Sequence, residues 1–206
     1  LRVNATADGS GDNLIRYIDE AKLMSTDQPL SEVLALQGDT RLEFEFSHSI
    51  SEKRYQPFEV SGDLFLLQNR LSILSFDIDL DDLVGSLSFS EEGIVGENIS
   101  ADLLDNPIKI QAATGINGTS NIFISGTLDI ARYLKQRFIV LKDVVAGQAE
   151  VNAVFKLPSL FIADAKEKMI ITASSNLKGL ALDLPEPLKK SATSSMPINL
   201  SYDVTT

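Results

Sequence analysis

The chain has 206 residues, 44% of them hydrophobic, which is enough to bury a core of ordinary size without a metal or disulfide staple. Its 29 acidic side chains against 18 basic ones give a formal charge of −11, which argues against an electrostatic grip on phosphate and so excludes nucleic acid and anionic membrane surfaces as favoured partners. With no cysteine and one histidine, disulfide frameworks, thiolate zinc sites, cysteine nucleophiles and most histidine relays are excluded as well.

Asp12 to Met24 is predicted as an amphipathic helix, with Leu14, Ile15, Ile18 and Ala21 on one face and Asp12 as N-cap. Leu30 to Leu36 reads as one or two helical turns before the Gly38-Asp39 break. After Gly38 the period falls to 2: Leu42, Phe44 and Phe46 alternate with Glu43, Glu45 and Ser47, as in a strand with one wet face. Strands are predicted over Phe58–Leu67, with Gly62-Asp63 as a bulge, and over Leu71–Leu80, with Gln68-Asn69-Arg70 as the tight hairpin between them. Leu83–Phe89, Ile94–Leu104, Pro107–Ala112 and Asn121–Ile130 continue the meander, and a second helix is expected over Asp129–Val140. Gln148–Leu157, Lys168–Ser174, Leu177–Leu184 and Pro197–Val204 complete about nine to eleven strands with two or three short helices. Helices rarely alternate with strands, so the economical fold is a mainly β, antiparallel meander. Residues 1–40 are expected to form a mixed helical lead-in or cap ahead of a repetitive β segment over residues 41–206, or the two to form one continuous domain. The sequence begins at Leu1 and stops straight after a predicted strand, which reads as an internal piece of a longer protein.

Glycine recurs inside predicted strands, in Val60-Ser61-Gly62-Asp63-Leu64, Leu83-Val84-Gly85-Ser86-Leu87, Ile124-Ser125-Gly126-Thr127-Leu128 and Leu177-Lys178-Gly179-Leu180. A mid-strand glycine marks a bulge, a bend or a close backbone approach, so the recurrence suggests a sheet bent in a repeating way. Accidental glycines in an ordinary sandwich explain it equally well.

Chemistry is largely missing. Asp77, Asp79 and Asp81 open like a calcium loop, but Asp82 stands where that loop needs glycine and Ser88 where it needs a bidentate glutamate, so a solvated strand face is the better reading. His48 has no Gly-x-Ser-x-Gly nucleophile elbow to serve. Asp8-Gly9-Ser10-Gly11-Asp12 lacks both a predicted preceding strand and the lysine of a phosphate loop. Asn4-Ala5-Thr6 and Asn117-Gly118-Thr119 match the glycosylation sequon, a motif short enough to occur by chance. No catalytic residue, metal or cofactor is assigned, and the chain is not read as an enzyme. What stands out is apolar bulk on strands: Phe44, Phe46, Phe65, Phe76, Phe89, Phe123 and Phe155. Either this is the core of a closed β-sandwich, or one face of a curved sheet is left open for an apolar ligand.

Two stretches resemble a known family. Val60-Ser61-Gly62-Asp63-Leu64, Asn69-Arg70-Leu71, the run from Val84-Gly85-Ser86-Leu87 to Gly93-Ile94, and Ile99-Ser100-Ala101-Asp102-Leu103-Leu104 are similar in order and content to the YhdP-like proteins of the AsmA-like family of Gram-negative envelope proteins. Leu177-Lys178-Gly179 followed by Leu184-Pro185-Glu186-Pro187-Leu188-Lys189-Lys190 resembles a second segment of that family. Asp105-Asn106 departs from it, standing where the family usually has Leu-Gly. The resemblance spans roughly residues 30–206 and rests on degenerate β-repeat signatures. It implies an open, taco-like β-groove with an apolar concave face, in the periplasm, anchored to the inner membrane by an N-terminal helix absent from this sequence. It implies carriage of phospholipid to the outer membrane, with acyl chains as the ligand and neighbouring β-repeats as structural partners. Strand phase then names Leu74, Phe76, Ile78, Leu87, Phe89, Ile99, Leu103, Ile122, Ile124, Leu128, Val151 and Phe155 as the lining. The alternatives are a non-catalytic structural or interaction sandwich and, more distantly, a lipid-modifying hydrolase.

Overall fold

The structure, a computed structural model, describes residues 2–20, 29–47, 59–115, 118–138, 143–157 and 169–204. Its strands are β1 (Arg2–Ser10), β2 (Leu34–Gln37), β3 (Asp39–Ser47), β4 (Glu59–Ile73), β5 (Ile78–Ser90), β6 (Gly93–Leu103), β7 (Asn106–Thr114), β8 (Ser120–Leu128), β9 (Val145–Gly147), β10 (Ala149–Leu157), β11 (Met169–Ser175), β12 (Leu180–Leu182) and β13 (Ile198–Val204). Helix α1 (Gly11–Glu20) follows β1, and α2 (Ile130–Arg137) follows β8. One large antiparallel sheet runs in the order β1-β3-β4-β5-β6-β7-β8-β10-β11-β13, with β2 paired to the far half of β4. Among the described residues β1 and β13 each pair on one side, so the sheet is not closed into a barrel.

The predicted meander is present, with informative corrections. Gln68-Asn69-Arg70 is not a hairpin: β4 runs straight through it, and the reversal falls instead at the 3₁₀ turn Leu74–Phe76. The predicted strand Leu71–Leu80 is therefore cut in two by a turn. Leu34–Gln37, expected to be helical, is β2, and only Leu30–Glu32 makes a 3₁₀ turn. Leu177–Leu184 yields only β12, which pairs with β9 in a separate two-stranded sheet. Residues 2–10 form β1, paired along its length with β3, although Ala, Gly, Asp and Asn give this stretch weak strand propensity.

Asn69 explains the first correction. Gly38, at φ +99, breaks what would otherwise be one strand into β2 and β3, both lying against β4. Opposite that break the Asn69 side chain is fully buried. Its Oδ1 accepts from the Leu67 N–H at 2.7 Å, and its Nδ2 donates to the carbonyls of Gln37 and Asp39, each at 3.1 Å. Residues that favour turns here make a strand bulge whose buried amide is fully satisfied.

Bulges recur in three adjacent strands. The register slips by one residue at Gln68 in β4, at Asp82 in β5 and at Asn98 in β6, and each of these residues has φ between +50 and +60. The Gly62-Asp63 bulge expected from sequence is absent, since pairing there is regular. Instead Gly62 is a close approach: a Cβ would lie 2.3 Å from the Glu43 carbonyl and 2.7 Å from the Phe89 ring. Gly85 likewise meets Ile99, and Gly126 meets Ile108. Gly179 sits in a turn rather than mid-strand.

The helices gather where the lower ends of the strands lie. Helix α1 seats Gly11 against Leu36 and sends Ile15 into the main core, while Asp19 accepts hydrogen bonds from the N–H groups of Leu30 and Ser31 at 2.6 and 3.0 Å. Helix α2 is capped by Asp129, which accepts from the Arg132 N–H at 2.9 Å. With β9, β12 and Leu177 it encloses a second, smaller core.

Candidate functional site: the apolar face of the sheet

Cross-strand register sorts the side chains of the large sheet into two faces. Ala5, Phe44, Gly62, Phe89 and Ile94 form one row. Leu42, Leu64 and Leu87 lie in the next, which continues through Ala112, Ile122, Phe155, Ile171 and Tyr202. A third runs through Ile99, Ile110, Ile124, Ala153, Ala173 and Leu200. Each bulge inserts one residue on the other face, so this apolar set stays in phase through β4, β5 and β6.

No Asp, Glu, Lys or Arg among the described residues falls on this face of the sheet. Its polar members are tied into the fold. Thr40 donates to the Gly9 carbonyl at 3.1 Å, Asn106 to that of Leu104 at 2.6 Å and Ser175 to that of Glu150 at 2.7 Å, and the Thr114 and Ser120 hydroxyls pair at 2.7 Å. The charges stand on the opposite face. There Arg41 pairs with Asp8 at 2.8 Å, Arg2 with Glu45 at 2.8 Å, and Arg70 with Asp79 and Asp81. The Asp79 carboxyl lies below the ordinary carboxylate range because it accepts a hydrogen bond from Ser72 and, next in effect, one from Arg70. Within the calcium-like Asp77–Asp82 run, Asp79 and Asp81 thus belong to an ion-paired strand face, while Asp77 ends the 3₁₀ turn ahead of β5. A hollow of about 690 Å³ also opens on that side, beside Glu43, Glu45, Asp63 and Ser88. There Ser88 donates to Asp63 at 2.5 Å.

Burial on the apolar face is graded. Along the end padded by the helices, Leu80, Leu83, Ala101, Ile108, Leu128 and Ala149 are all buried. Toward the other end, which ends in turns such as Ser90–Gly93, Phe44, Leu87, Phe89, Ile122, Phe155 and Ile171 are only half-buried, although Ile94 there is buried. At the β13 edge Leu200 is 65% and Tyr202 50% exposed. Phe76, in the 3₁₀ turn after β4, nevertheless meets Tyr202 edge-to-face with ring centroids 5.0 Å apart. Six strand spacings separate β5 from β13 in the sheet, roughly 29 Å if it were flat, so the sheet must curve toward its apolar side.

Ile78, Leu87, Phe89, Ile99, Leu103, Ile122, Ile124, Leu128, Val151 and Phe155 share this face, with Ile99 and Leu128 packed into the buried core and the others half-buried. Leu74 and Phe76 are not in a strand: both lie in the 3₁₀ turn, where the expected alternation ends. Leu42, Phe44, Leu64, Ile94, Ile171, Leu200 and Tyr202 belong to the same face and were legible by the same alternation. His48 and Asn117 lie outside the described residues. No helix among the described residues is long and apolar enough to cross a membrane.

The second motif has a structural explanation. The Lys190 ammonium is buried and donates to the carbonyls of Leu177 and Leu180, each at 2.7 Å, and of Ser191 at 3.0 Å. Gly179, at φ +100, approaches the Gln148 carbonyl so closely that a Cβ would lie 2.3 Å from it. The motif residues Leu177, Gly179 and Lys190 therefore tie one structural knot.

Comparison with known proteins points to one family. The profile of the family described as YhdP protein matches residues 1–206. The intermembrane phospholipid transporter YhdP of Escherichia coli (strain K12) is 22% identical over 214 residues, an alignment covering 98% of this chain and 16% of that protein. The chain thus spans about one sixth of the length of this curated relative. No solved structure matches. A charge-free apolar face on an open antiparallel sheet and a profile match over the whole chain lead to one conclusion: the chain belongs to the YhdP family.

Proposed function

We propose that this chain is a periplasmic segment of an inner-membrane-anchored bridge, and that it conducts phospholipid acyl chains along the apolar face of its sheet toward the outer membrane. The observation that carries the reading is the partition of charge: one face, continuous across the sheet, has none, and its outer rows are not covered by a second layer among the described residues. Burying each acyl CH₂ there is worth about 0.8 kcal/mol, so a chain is held without any polar anchor. Rows of similar Leu, Ile and Phe offer many near-equivalent positions, which suits sliding better than a single deep pocket. Headgroups stay in water, so no basic cluster is needed. β1 and β13, each paired on one side only among the described residues, give neighbouring β-repeats of a longer chain a place to pair. Lipid transport of this kind requires no catalysis. The sandwich alternative needs a facing sheet, and the small β9–β12 sheet does not supply one among the described residues, because it packs with α2 on a core that meets the large sheet at Ala149, at one end of β10.

The test is a pair of charge insertions one residue apart in the full-length protein. Leu87→Asp places a carboxylate on the apolar face and should abolish phospholipid delivery to the outer membrane, while Ser88→Asp, on the charged face, should leave it intact. Equal effects of the two, with both proteins folded by circular dichroism, would overturn the reading.

A further inference from the structure

Phe76 and Tyr202 are not explained by the two packed cores, since neither residue belongs to them. Phe76 stands on the turn between β4 and β5, whereas Tyr202 belongs to β13, at the far edge of the sheet. Register puts Tyr202 on the apolar face, in the row of Ile171 and Phe155. The turn therefore reaches across the concave side and touches the last strand from within, with interplanar angle 76° and ring centroids 5.0 Å apart. Tyr202 is 50% exposed and Leu200 beside it 65%, so the contact is made in the open by one ring against another. Such a contact is small enough to break and re-form, unlike the interdigitated packing around Leu80 and Ile108.

We propose that Phe76 and Tyr202 form an aromatic clasp over the apolar trough, which must part for an acyl chain to pass between the face of β5–β11 and that of β13. The inference rests on the lipid-conduction reading above. A clasp of two hydrocarbon-compatible rings suits this place, because when open it adds apolar surface to the path and leaves no polar group unpaired.

The test uses the full-length protein made otherwise cysteine-free, with Phe76→Cys and Tyr202→Cys joined by a short bis-methanethiosulfonate that reductant removes. The expected result is loss of phospholipid delivery in the joined protein and its return on reduction, while a photo-crosslinking side chain at position 87 still captures lipid throughout. Unchanged delivery in the joined protein would overturn the clasp. Failure of the reagent to join the two cysteines, when it joins a control pair at the neighbouring positions 152 and 174, would overturn it too. Loss of lipid capture at position 87 in the unmodified protein would instead defeat the conduction reading itself. The double variant Phe76→Ala, Tyr202→Ala should fold with unchanged thermal stability; a collapse of stability would make the pair a structural core and not a clasp.

Discussion

Lys190, quoted in sequence only as part of a family motif, has a structural role in the fold. Three carbonyls accept from its ammonium, and among the described residues no carboxylate pairs with it; the Leu177 and Ser191 carbonyls also accept from the Leu180 and Ser194 N–H groups, so replacing the lysine removes a charge-assisted donor from each of the three but leaves these two a backbone partner. Lys190→Met should lower stability by about 2–4 kcal/mol, read as a shifted denaturant midpoint with lipid capture by the surviving folded fraction unchanged. An unaltered midpoint would contradict the knot. Asp79 stands on the charged face of the sheet, and its contribution depends on pH. Its folded-state affinity for a proton is depressed, so its contribution is present above the ordinary carboxylate pKa and is lost as the pH falls through the lower folded value. Asp79→Asn should therefore cost stability at pH 7, and the gap from the parent should narrow in acid below about pH 4. Because the Asp79 side chain is 39% exposed, the effect should be about 1 kcal/mol or less in urea titrations at the two pH values. A gap that widened in acid would refute the assignment. At this scale sequence was informative about charge placement and silent about Lys190, since a lysine's spacing does not announce that carbonyls will surround it.

The strands owe their continuity to devices that alternation alone conceals. Period 2 made most of the meander legible, from Leu42-Phe44-Phe46 to the register of Ile122 and Ile124. It failed at Gln68-Asn69-Arg70, where the same residues suit a hairpin or a bulge and only the buried amide of Asn69 decides between them. It failed again at Leu74 and Phe76, which continue the alternation of Ile78 and Leu80 in sequence although the chain has already turned. In β6 the bulge at Asn98 restores phase between Gly96 and Ile99. Deleting Asn98 should throw one half of the strand onto the wrong face, for the C-terminal half exposing Ile99 and Ala101 and burying Ser100 and Asp102. The expected outcome is loss of cooperative unfolding, whereas Asn98→Gly, which keeps the residue and suits its positive φ, should fold with stability equal to or above the parent. A deletion variant that unfolds cooperatively at the parental midpoint would show that the bulge does not hold the phase.

For the whole molecule, composition reported apolar bulk and could not say whether a second layer covered it, because a sandwich and an open trough share one alternation. The mid-strand glycines pointed to curvature, and three of them do allow Phe89, Ile99 and Ile108 to fold close over the backbone. What sequence could not supply was the strand order that carries the apolar rows unbroken from β3 to β13, or the contact from the β4–β5 turn back to Tyr202. The charged side chains of the described strands are confined to one face of the large sheet. The most direct measurement is a scan of one strand with a photo-crosslinking side chain, placed in turn at positions 86, 87, 88 and 89 of the full-length protein, followed by mass spectrometry of the adducts. The account predicts phospholipid adducts at 87 and 89 and none at 86 and 88; adducts at all four positions, or at none, would contradict it.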